Sequence, residues 1–508
     1  MISLKPRDYQ QQIFETAKVN NTLVVLPTGL GKTLIALMLA VHRIEKYPGK
    51  KVLFLAPTRP LVEQHFNTFE RELGELFAEM YLFTGSVNAV KRKKLFQTAE
   101  IIFSTPQCVA NDLQSGLYDM KDVSLLIIDE AHRCLKNYDY TKVVDCYKRQ
   151  SDNQRILGLT ASPGSDSERV REICKHLDIQ EIEVRTRDSE DVKNYLQKLD
   201  FDKVEVPFPE EFLEIKVLLK RIYDSKVEEL RKRNLLFGPA NKIILLQLQQ
   251  RLAGQMHQRN FNAMLGMSAT ATAIKISHAM ELLETQTLSG LNEYLKGLMK
   301  QAEQKKSRAV QKLVNSKDFQ AVMISLRDLL KKKVEHPKLE ECAVLIEEQF
   351  KEKEDSKVII FTQFRETGVS IAKRLNKIKG VKAQTFFGQA KKGETGYSQK
   401  EQKTIIEKLN NREINVLVAT SIGEEGLDIS EVSVVIFYEP IPSAIRKIQR
   451  AGRTARLAPG KLIILITKDT RDVAYHYASR AKERKMYKTI EGMKKEIQER
   501  VKTLKDYI

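Results

Sequence analysis

The sequence is poor in cysteine and contains no long apolar run. Its five cysteines include no pair at C-x-x-C spacing, which argues against a zinc site or a disulfide framework and favours thiols in a reducing compartment. No stretch of about eighteen apolar residues occurs, and the N-terminus shows no signal-peptide pattern. We therefore expect neither membrane insertion nor secretion, and we expect a cytoplasmic protein.

The charge balance is strongly basic. The chain has 85 Lys and Arg against 66 Asp and Glu, which gives a formal net charge of +19. A surface of this sign attracts polyanions, and the phosphate backbone of a nucleic acid is the obvious one. Adaptation to heat is the alternative explanation, but it raises acidic and basic residues together. The excess of bases therefore favours a nucleic-acid partner, although charge alone does not distinguish DNA from RNA.

The chain is too long for one hydrophobic core, and its pattern predicts several domains. Residues 1–200 alternate short apolar runs with helical patterns, and residues 341–470 repeat this alternation. Such alternation is typical of an α/β fold with parallel sheets covered by helices. The predicted strands are Thr22–Leu26, Val52–Ala56, Ile101–Ser104, Leu125–Ile128 and Ile156–Thr160, then Val358–Phe361, Val416–Thr420, Val434–Tyr438 and Leu462–Ile466.

Residues 201–340 lack this alternation. Pro239 is the one proline between residues 211 and 333, and apolar residues recur there at helical spacing, which predicts an all-helical domain inserted between the two α/β domains. The insert has 24 Lys and Arg against 16 Asp and Glu, so it carries +8 of the net charge. Residues 471–508 form a predicted basic C-terminal helix, which we expect to pack on one of the α/β domains.

A glycine-rich turn follows the first predicted strand. It reads Leu-Pro-Thr-Gly-Leu-Gly-Lys-Thr over Leu26–Thr33, with Leu where the strict phosphate-loop pattern begins with Gly. Backbone amides of such a turn can cradle phosphates, the Lys32 ammonium can neutralise the β and γ oxygens, and the Thr33 hydroxyl can bind Mg²⁺. The residues assigned to nucleotide binding here are Thr28, Gly29, Gly31, Lys32 and Thr33.

Asp-Glu-Ala-His follows another predicted strand about a hundred residues later, at Asp129–His132. From a strand end, Asp129 can bind the same Mg²⁺ as Thr33, and Glu130 can polarise a water molecule for attack. Because the order, spacing and strand context of the two motifs agree, the sequence predicts ATP hydrolysis with Lys32, Asp129 and Glu130 as catalytic residues.

The tetrapeptide Arg-Asp-Tyr-Gln precedes the glycine-rich turn by about twenty residues. A glutamine amide can pair with both the N6 donor and the N7 acceptor of adenine. Gln10 is therefore predicted to bind the adenine base, and Arg7 is assigned to the same nucleotide site.

Further strand-to-helix turns present amides, hydroxyls and helix N-termini, which are groups that bind phosphates. Thr160–Ser162 follows a predicted strand of the first domain and is expected to relay between the ATP site and the nucleic-acid face. The residues predicted to contact nucleic acid are Thr58, Arg59, Thr105 and Pro106 in the first domain, and Gln363, Arg365, Thr420 and Ser421 in the second.

An arginine-rich segment ends the motif series at Gln449–Arg456. Arginines three residues apart on one helical face can meet a γ-phosphate that the opposite domain holds. A guanidinium supplied in this way stabilises transition-state charge and can raise the rate by about three to five orders of magnitude. Gln449, Arg453 and Arg456 are therefore predicted to be catalytic. The nucleotide-binding set also includes two residues of the loop after Val416–Thr420, namely Gly426 and Asp428.

In this order, the motifs resemble those of the superfamily 2 helicases over nearly the whole chain. Gln10 matches the Q motif, Leu26–Thr33 motif I, Ala56–Val62 motif Ia, Thr105–Pro106 motif Ib, Asp129–His132 motif II, Thr160–Ser162 motif III, Phe361–Arg365 motif IV, Thr420–Asp428 motif V and Gln449–Arg456 motif VI. The resemblance implies two RecA-like parallel-sheet motor domains that use ATP and Mg²⁺.

The helical insert is similar to that of the archaeal Hef and Fanconi-anaemia M helicases, and more distantly to that of RIG-I-like RNA sensors. The resemblance implies a nucleoid-associated DNA-repair helicase or translocase that remodels stalled forks and four-way junctions and moves 3′ to 5′. The alternative is an ATPase that binds double-stranded RNA without processive unwinding. Sensors of that type carry cysteine-based zinc domains downstream, and no such cysteines occur in this sequence.

Hef-like chains also carry a C-terminal nuclease whose core is Glu-Arg-Lys followed four positions later by Asp. Glu483–Lys485 supplies the tripeptide, but Thr489 stands at the Asp position. We therefore expect a chance match, and we expect a helicase portion whose nuclease region is absent from this chain.

Overall fold

The computed structural model describes residues 4–74, 77–136, 138–195, 198–255, 261–388, 396–420, 432–441, 443, 454 and 459–505. These residues form two parallel sheets flanked by helices, with a helical bundle inserted in the sequence after the first strand of the second sheet. The predicted class, α/β with an all-helical insert, is confirmed. Within these ranges, no helix has the length and apolar character that a membrane span requires.

The first sheet has the strand order β3-β4-β2-β5-β6-β1-β7 in the described ranges, and its pairings are parallel. Its strands are β1 Thr22–Val25, β2 Lys51–Leu55, β3 Met80–Phe83, β4 Ile101–Ser104, β5 Val123–Ile128, β6 Ile156–Thr160 and β7 Glu181–Val184. The interior strands are buried along their whole length because helices cover both faces. These helices are α1 Asp8–Val19, α2 Lys32–Lys46, α3 Arg59–Glu72, α4 Ala89–Thr98, α5 Pro106–Gln114, α6 Asp139–Gln150, α7 Ser167–His176 and α8 Glu190–Lys193.

The insert is a bundle with two apolar clusters. Its helices are α9 Leu213–Lys232, α10 Lys242–Gln255, α11 Phe261–Thr285, α12 Leu288–Glu303, α13 Arg308–Val314 and α14 Lys317–Lys331. The apolar positions that carry the helical spacing are buried: Ile215, Leu219 and Leu291 lie in the larger cluster, and Leu245 and Leu248 lie in the smaller one. The periodicity of the sequence therefore identifies the inward faces of these helices correctly.

The second sheet has the order β10-β11-β9-β12-β13-β8 in the same ranges. Its strands are β8 Leu199–Val206, β9 Val358–Phe361, β10 Ala383–Phe386, β11 Val416–Ala419, β12 Val434–Phe437 and β13 Gly460–Thr467, and α15 Pro337–Glu352, α16 Arg365–Leu375 and α17 Gln399–Asn410 accompany them. The predicted boundary at residue 200 is wrong, because it divides β8. This strand pairs along its whole length with β13, so it belongs to the second motor domain.

The C-terminal helix α18, Arg471–Lys505, contacts more than the single α/β domain expected from the sequence. Its first turns pack against β13 and against α11 of the insert. Further along, Met486, Ile490 and Met493 join a core cluster of the first sheet, and Arg171 of α7 pairs with Glu496 at 3.0 Å. The helix therefore connects the second motor domain and the insert to the first motor domain.

Candidate nucleotide-hydrolysis site and nucleic-acid face

The glycine-rich turn connects β1 to α2. Gly29 and Gly31 have φ angles of 87° and 73°, a region that favours glycine, and α2 begins directly after them at Lys32. The helix N-terminus thus points its free backbone amides at the turn, as phosphate-binding loops do. The Lys32 ammonium donates to the carbonyl oxygen of Leu26 at 2.9 Å, so it lies within the turn.

Gln10 supports this turn from behind. Its side chain is buried, and its amide nitrogen donates to the Leu30 carbonyl at 3.1 Å while its oxygen accepts from the backbone N–H of Arg7 at 2.9 Å. Tyr9 donates to the same Leu30 carbonyl at 2.9 Å. A side chain at Gly31 would collide with the Gln10 amide. Within the described ranges, one N–H and one lone pair of this amide remain for a base. The predicted adenine contact stays a prediction, and support of the loop is an additional role.

Arg7 lies beside this glutamine, at the start of α1. Its guanidinium donates to the Tyr9 hydroxyl at 3.2 Å and lies 5.1 Å from the centroid of the Tyr195 ring. Arg7 is therefore held near the Q-motif glutamine by aromatic residues from both ends of the first domain. Its predicted contact with nucleotide stays a prediction.

The two residues predicted to bind Mg²⁺ are brought together by a histidine. His65 of α3 lies with Nε2 2.8 Å from Asp129 Oδ2 and with Nδ1 3.4 Å from the Thr33 hydroxyl. Burial raises the pKa of the Asp129 carboxyl, but the facing His65 ring and Lys32 ammonium outweigh burial and hold the pKa below its usual value. Asp129 is therefore a charged acceptor inside the protein.

The Thr33 hydroxyl and the Asp129 carboxylate suit Mg²⁺, which is commonly bound by one or two carboxylates together with substrate phosphates and water. Asp129 is 5% exposed, and its backbone is fixed, because its N–H donates to the Leu55 carbonyl at 2.8 Å and its carbonyl accepts from the Tyr140 hydroxyl at 2.7 Å. His65 was not among the residues predicted from the sequence. The sequence does contain a sign of its role, because this polar residue occupies the buried face of α3 between Val62 and Phe69.

Glu130, the predicted water-polarising residue, sits in an unusual backbone conformation. Its φ of 51° lies in the left-handed region, where non-glycine residues are uncommon and strain is stored near functional sites. Its carboxylate lies 3.2 Å from Nδ1 of His132, and the same nitrogen is 3.2 Å from the Thr160 hydroxyl, which accepts from the Ser162 N–H at 3.1 Å. The contact between His132 and Thr160 thus connects the Asp-Glu-Ala-His motif to Thr160–Ser162. The predicted relay needs such a contact on the side of the ATP site.

The residues predicted to contact nucleic acid lie together in pairs. Thr58 and Arg59 follow β2, and Thr105 and Pro106 follow β4, which is the neighbour of β2 in the first sheet. The Thr58 hydroxyl is buried and has no hydrogen-bond partner within the described ranges. The carboxyl ends of two adjacent strands therefore place both turns at one edge of this sheet.

The second sheet repeats the arrangement. Gln363 and Arg365 follow β9, and Thr420 follows the adjacent β11. Arg365 donates to the Gly388 carbonyl at 2.9 Å, and Thr420 is buried. Between the two motor domains, a cavity of about 520 Å³ has Arg59 of α3 on one wall and Lys400 of α17 on the other.

Several predicted residues lie outside the described ranges, so their positions stay predictions. They are Ser421, Gly426, Asp428, Gln449, Arg453 and Arg456. Thr454, within the arginine-rich segment, is described, and its hydroxyl donates to the Val432 carbonyl at 2.6 Å, before β12 begins.

Three protein-family models match consecutive parts of the chain. A DEAD/DEAH box helicase model matches residues 7–170, a helicase conserved C-terminal domain model matches residues 338–458, and a putative ATP-dependent RNA helicase helical-bundle model matches residues 211–336. Together with the phosphate loop and the acidic strand end, these matches place the chain in the class of DEAD/DEAH box helicases with two RecA-like motor domains.

A solved structure with the same three parts is the Hef helicase domain of Pyrococcus furiosus. It is 42% identical, with a TM-score of 0.72, and the match covers 94% of this chain and 98% of that one. The chain belongs to the Hef and Fanconi-anaemia M group of superfamily 2 helicases.

Curated relatives match nearly all of this chain and extend beyond it. A putative ATP-dependent RNA helicase of Methanocaldococcus jannaschii is 38% identical over 97% of this chain and 61% of its own length. The ATP-dependent DNA helicase mph1 of Neurospora crassa is 34% identical over 93% and 42%, and a Fanconi anemia group M protein homolog of Mus musculus is 33% identical over 96% and 26%. The chain thus spans about a quarter to three fifths of these relatives.

Proposed function

We propose that this protein is an ATP- and Mg²⁺-dependent DNA helicase or translocase that acts on branched DNA, such as stalled forks and four-way junctions, and moves 3′ to 5′. The observation that carries the proposal is the match to the Hef helicase domain, which spans both motor domains and the insert. The names of several relatives, including Fanconi anemia group M protein homolog and ATP-dependent DNA helicase mph1, support DNA as the substrate.

The first motor domain would hold the nucleotide. Mg²⁺ bound by Thr33 and Asp129 would neutralise charge on the β and γ phosphates, to which the Lys32 ammonium adds its own charge. Glu130 would accept a proton from the attacking water, and its contact with His132 would orient it. Because Thr160 contacts the same histidine, a change at this carboxylate would be passed to the Thr160–Ser162 segment, and the distances Glu130–His132 and His132–Thr160 support this relay.

The second motor domain would complete the site. We propose that Gln449, Arg453 and Arg456 reach the γ-phosphate when the cleft between the motor domains closes, and that hydrolysis releases them. The turns after β2 and β4 would hold one stretch of the strand, and the turns after β9 and β11 would hold another. Alternation between the two grips would advance the motor, while the basic insert would bind a duplex arm.

ATPase assays with single-stranded DNA, forked DNA and duplex RNA test this function side by side. We expect forked DNA to stimulate turnover most, and we expect a labelled fork with a 3′ single-stranded tail to be unwound faster than one with a 5′ tail. Lys32→Ala is the control for contaminating ATPase activity. Stimulation by duplex RNA alone, without strand separation, would favour the RNA-binding ATPase, which the names of the matched bundle model and of the archaeal relative support.

A further inference from the structure

A buried carboxylate lies where the insert meets the second motor domain. Glu439 follows β12 by two residues and is 1% exposed. β12 runs parallel to β9 with Phe437 beside Phe361, and the Tyr438 N–H continues the pairing by donating to the Phe361 carbonyl at 3.0 Å. The strand register therefore brings Glu439 next to Gln363, which is predicted to contact nucleic acid.

Donors from two domains converge on this carboxylate. From the motor domain, the Gln363 backbone N–H donates at 2.5 Å and the Thr362 hydroxyl donates at 3.3 Å. From the insert, the side-chain amide of Gln286 donates at 3.3 Å. A carboxylate withdrawn from water is stable only where such donors replace its hydration. The charge of Glu439 therefore holds the motif IV turn and the insert against each other.

The hydrogen bond between Gln286 and Glu439 forms a bridge between the insert and the second motor domain. Gln286, on the insert side of this bridge, is itself held in place. Gln286 is 1% exposed and occupies the corner between α11 and α12, where its amide nitrogen also donates to the Thr285 hydroxyl at 3.0 Å. The next residue of the motor turn, Phe364, packs against the larger apolar cluster of the insert, with its ring 5.5 Å from that of His278. Polar and apolar contacts therefore fix the same turn from the insert.

Packing beside the bridge is incomplete. A cavity of about 450 Å³ is lined by His278 and Tyr294 of the insert and by Glu366 and Thr367 of α16. The contacts of Glu439 and Phe364 therefore orient the turn relative to the insert, together with the direct packing of α12 against α16.

We propose that Glu439 is a positioning residue for the nucleic-acid strand. It fixes the turn Thr362–Arg365 and, through Gln286, makes the geometry of that turn depend on the insert. This inference rests on the proposed function, because it requires motif IV to bind the strand. A strand held by the turn and a duplex arm held by the insert are then bound by one rigid unit.

Glu439→Gln tests the positioning role. The substitution keeps the shape of the side chain but turns one acceptor into a donor that faces other donors. We expect the single-stranded DNA concentration for half-maximal ATPase stimulation to rise about tenfold or more, since hydrogen bonds to charged groups are lost. The ATPase rate without DNA and the rate at saturating DNA should stay within about twofold of wild type.

Gln286→Met removes only the donor from the insert. We expect it to raise the half-maximal concentration of forked DNA more than that of single-stranded DNA. Combined with Glu439→Gln, it should have an effect smaller than the product of the two single effects, because both act through one bridge.

Glu335→Gln is the matched control, because this carboxylate lies at the same junction and accepts from the backbone N–H groups of Leu288, Ser289 and His336. It should lower the melting temperature and leave both half-maximal DNA concentrations unchanged.

Equal DNA effects of Glu335→Gln and Glu439→Gln, or none for Glu439→Gln, would overturn the inference. If Glu439→Gln does not fold, Gln286→Met decides, and an unchanged requirement for forked DNA rejects the bridge. A wild-type protein that DNA does not stimulate would instead refute the proposed function.

Discussion

The nucleotide pocket and the junction between the insert and the second motor domain are both buried polar clusters, but their partners differ. In the pocket, Asp129 faces His65 and Lys32, which are groups that a metal ion and phosphates can displace. At the junction, Lys338 and Asp472 are fully buried and paired with each other. In the pocket, a ligand can take the place of the groups that face Asp129. At the junction, the two charges are paired with each other inside the protein. In this protein, the buried charge at the candidate functional site is the one whose partners a ligand can replace.

The junction also attaches the insert to the second motor domain. Arg471, at the start of α18, donates to the Ser277 carbonyl of the insert at 2.7 Å and lies 3.5 Å from the Glu284 carboxylate. The insert is thus attached to the second motor domain by charged and neutral hydrogen bonds. We expect motion during turnover at the cleft between the two motor domains, and we expect the insert to follow the second of them.

Arg453→Ala should have the largest effect on the pocket, because it tests whether the second motor domain supplies part of it. We expect nucleotide binding to be retained and kcat to fall by about three to five orders of magnitude. Binding is measured with a fluorescent ATP analogue, and turnover is measured by phosphate release. Lys32→Ala, which removes charge from the phosphate loop, should lose both. Unimpaired turnover in Arg453→Ala would show that this arginine is not a catalytic finger.

Glu130→Gln should act within the first motor domain alone. The amide cannot accept a proton from water, so we expect kcat to fall by about two to four orders of magnitude with nucleotide affinity retained. The matched control is Glu72→Gln, which makes the same chemical change at a buried carboxylate of α3 that pairs with Arg71. Equal losses of turnover in both variants would remove Glu130 from the catalytic set.

Lys338→Met should show the opposite behaviour at the junction. It leaves the Asp472 carboxylate buried without its cation, and breaking a buried pair in this way costs about 3–5 kcal/mol of stability. Adding Asp472→Asn should recover much of the loss. Chemical unfolding measures the stability of both variants, while nucleotide affinity should equal that of wild type. A change in nucleotide affinity without a change in stability would contradict the division between pocket and junction.

The interior strands of both sheets were predictable from the sequence, and the edge strands were not. The nine predicted strands agree with the structure to within about two residues at each end, because each is a continuous apolar run. The four missed strands, β3, β7, β8 and β10, occupy the four edges of the two sheets. An edge strand packs less completely, so its sequence needs no continuous apolar run, which accounts for β7, β8 and β10 but not for the apolar β3. β8 alternates exposed and covered residues, and its partner β13 lies more than 250 residues away.

The site shows the same limit. Lys32, Thr33 and Asp129 could be proposed from the sequence because short motifs place them in the turn after β1 and at the end of β5. His65 was missed, since its role depends on how α3 packs over the pocket. Glu439 and Gln286 come from different domains and meet only in the folded chain. Local chemistry can be predicted from short motifs, whereas a contact between distant segments requires the fold.

A smaller effect distinguishes the two clusters by pH. His336 at the junction is fully buried, and its Nε2 lies 3.1 Å from the Glu284 carbonyl while its Nδ1 accepts from the Lys338 N–H at 3.2 Å. Burial, assisted by the charge of Lys338, lowers its pKa from 6.5 to about 3. The ring is therefore neutral in the folded protein at pH values where the unfolded chain already binds a proton.

The contribution of the neutral His336 ring to the free energy of unfolding is complete above pH 6.5 and is lost as the pH falls towards about 3. The loss from this one histidine has a slope of up to about 1.4 kcal/mol per pH unit. His336→Gln keeps one donor and one acceptor at this place but cannot titrate, so its free energy of unfolding should fall less steeply between about pH 6 and 4. Urea unfolding at a series of pH values measures the slope. An unchanged slope would mean that water or a counter-charge reaches this ring. The junction would then be accessible, and this contrast with the nucleotide pocket would not hold.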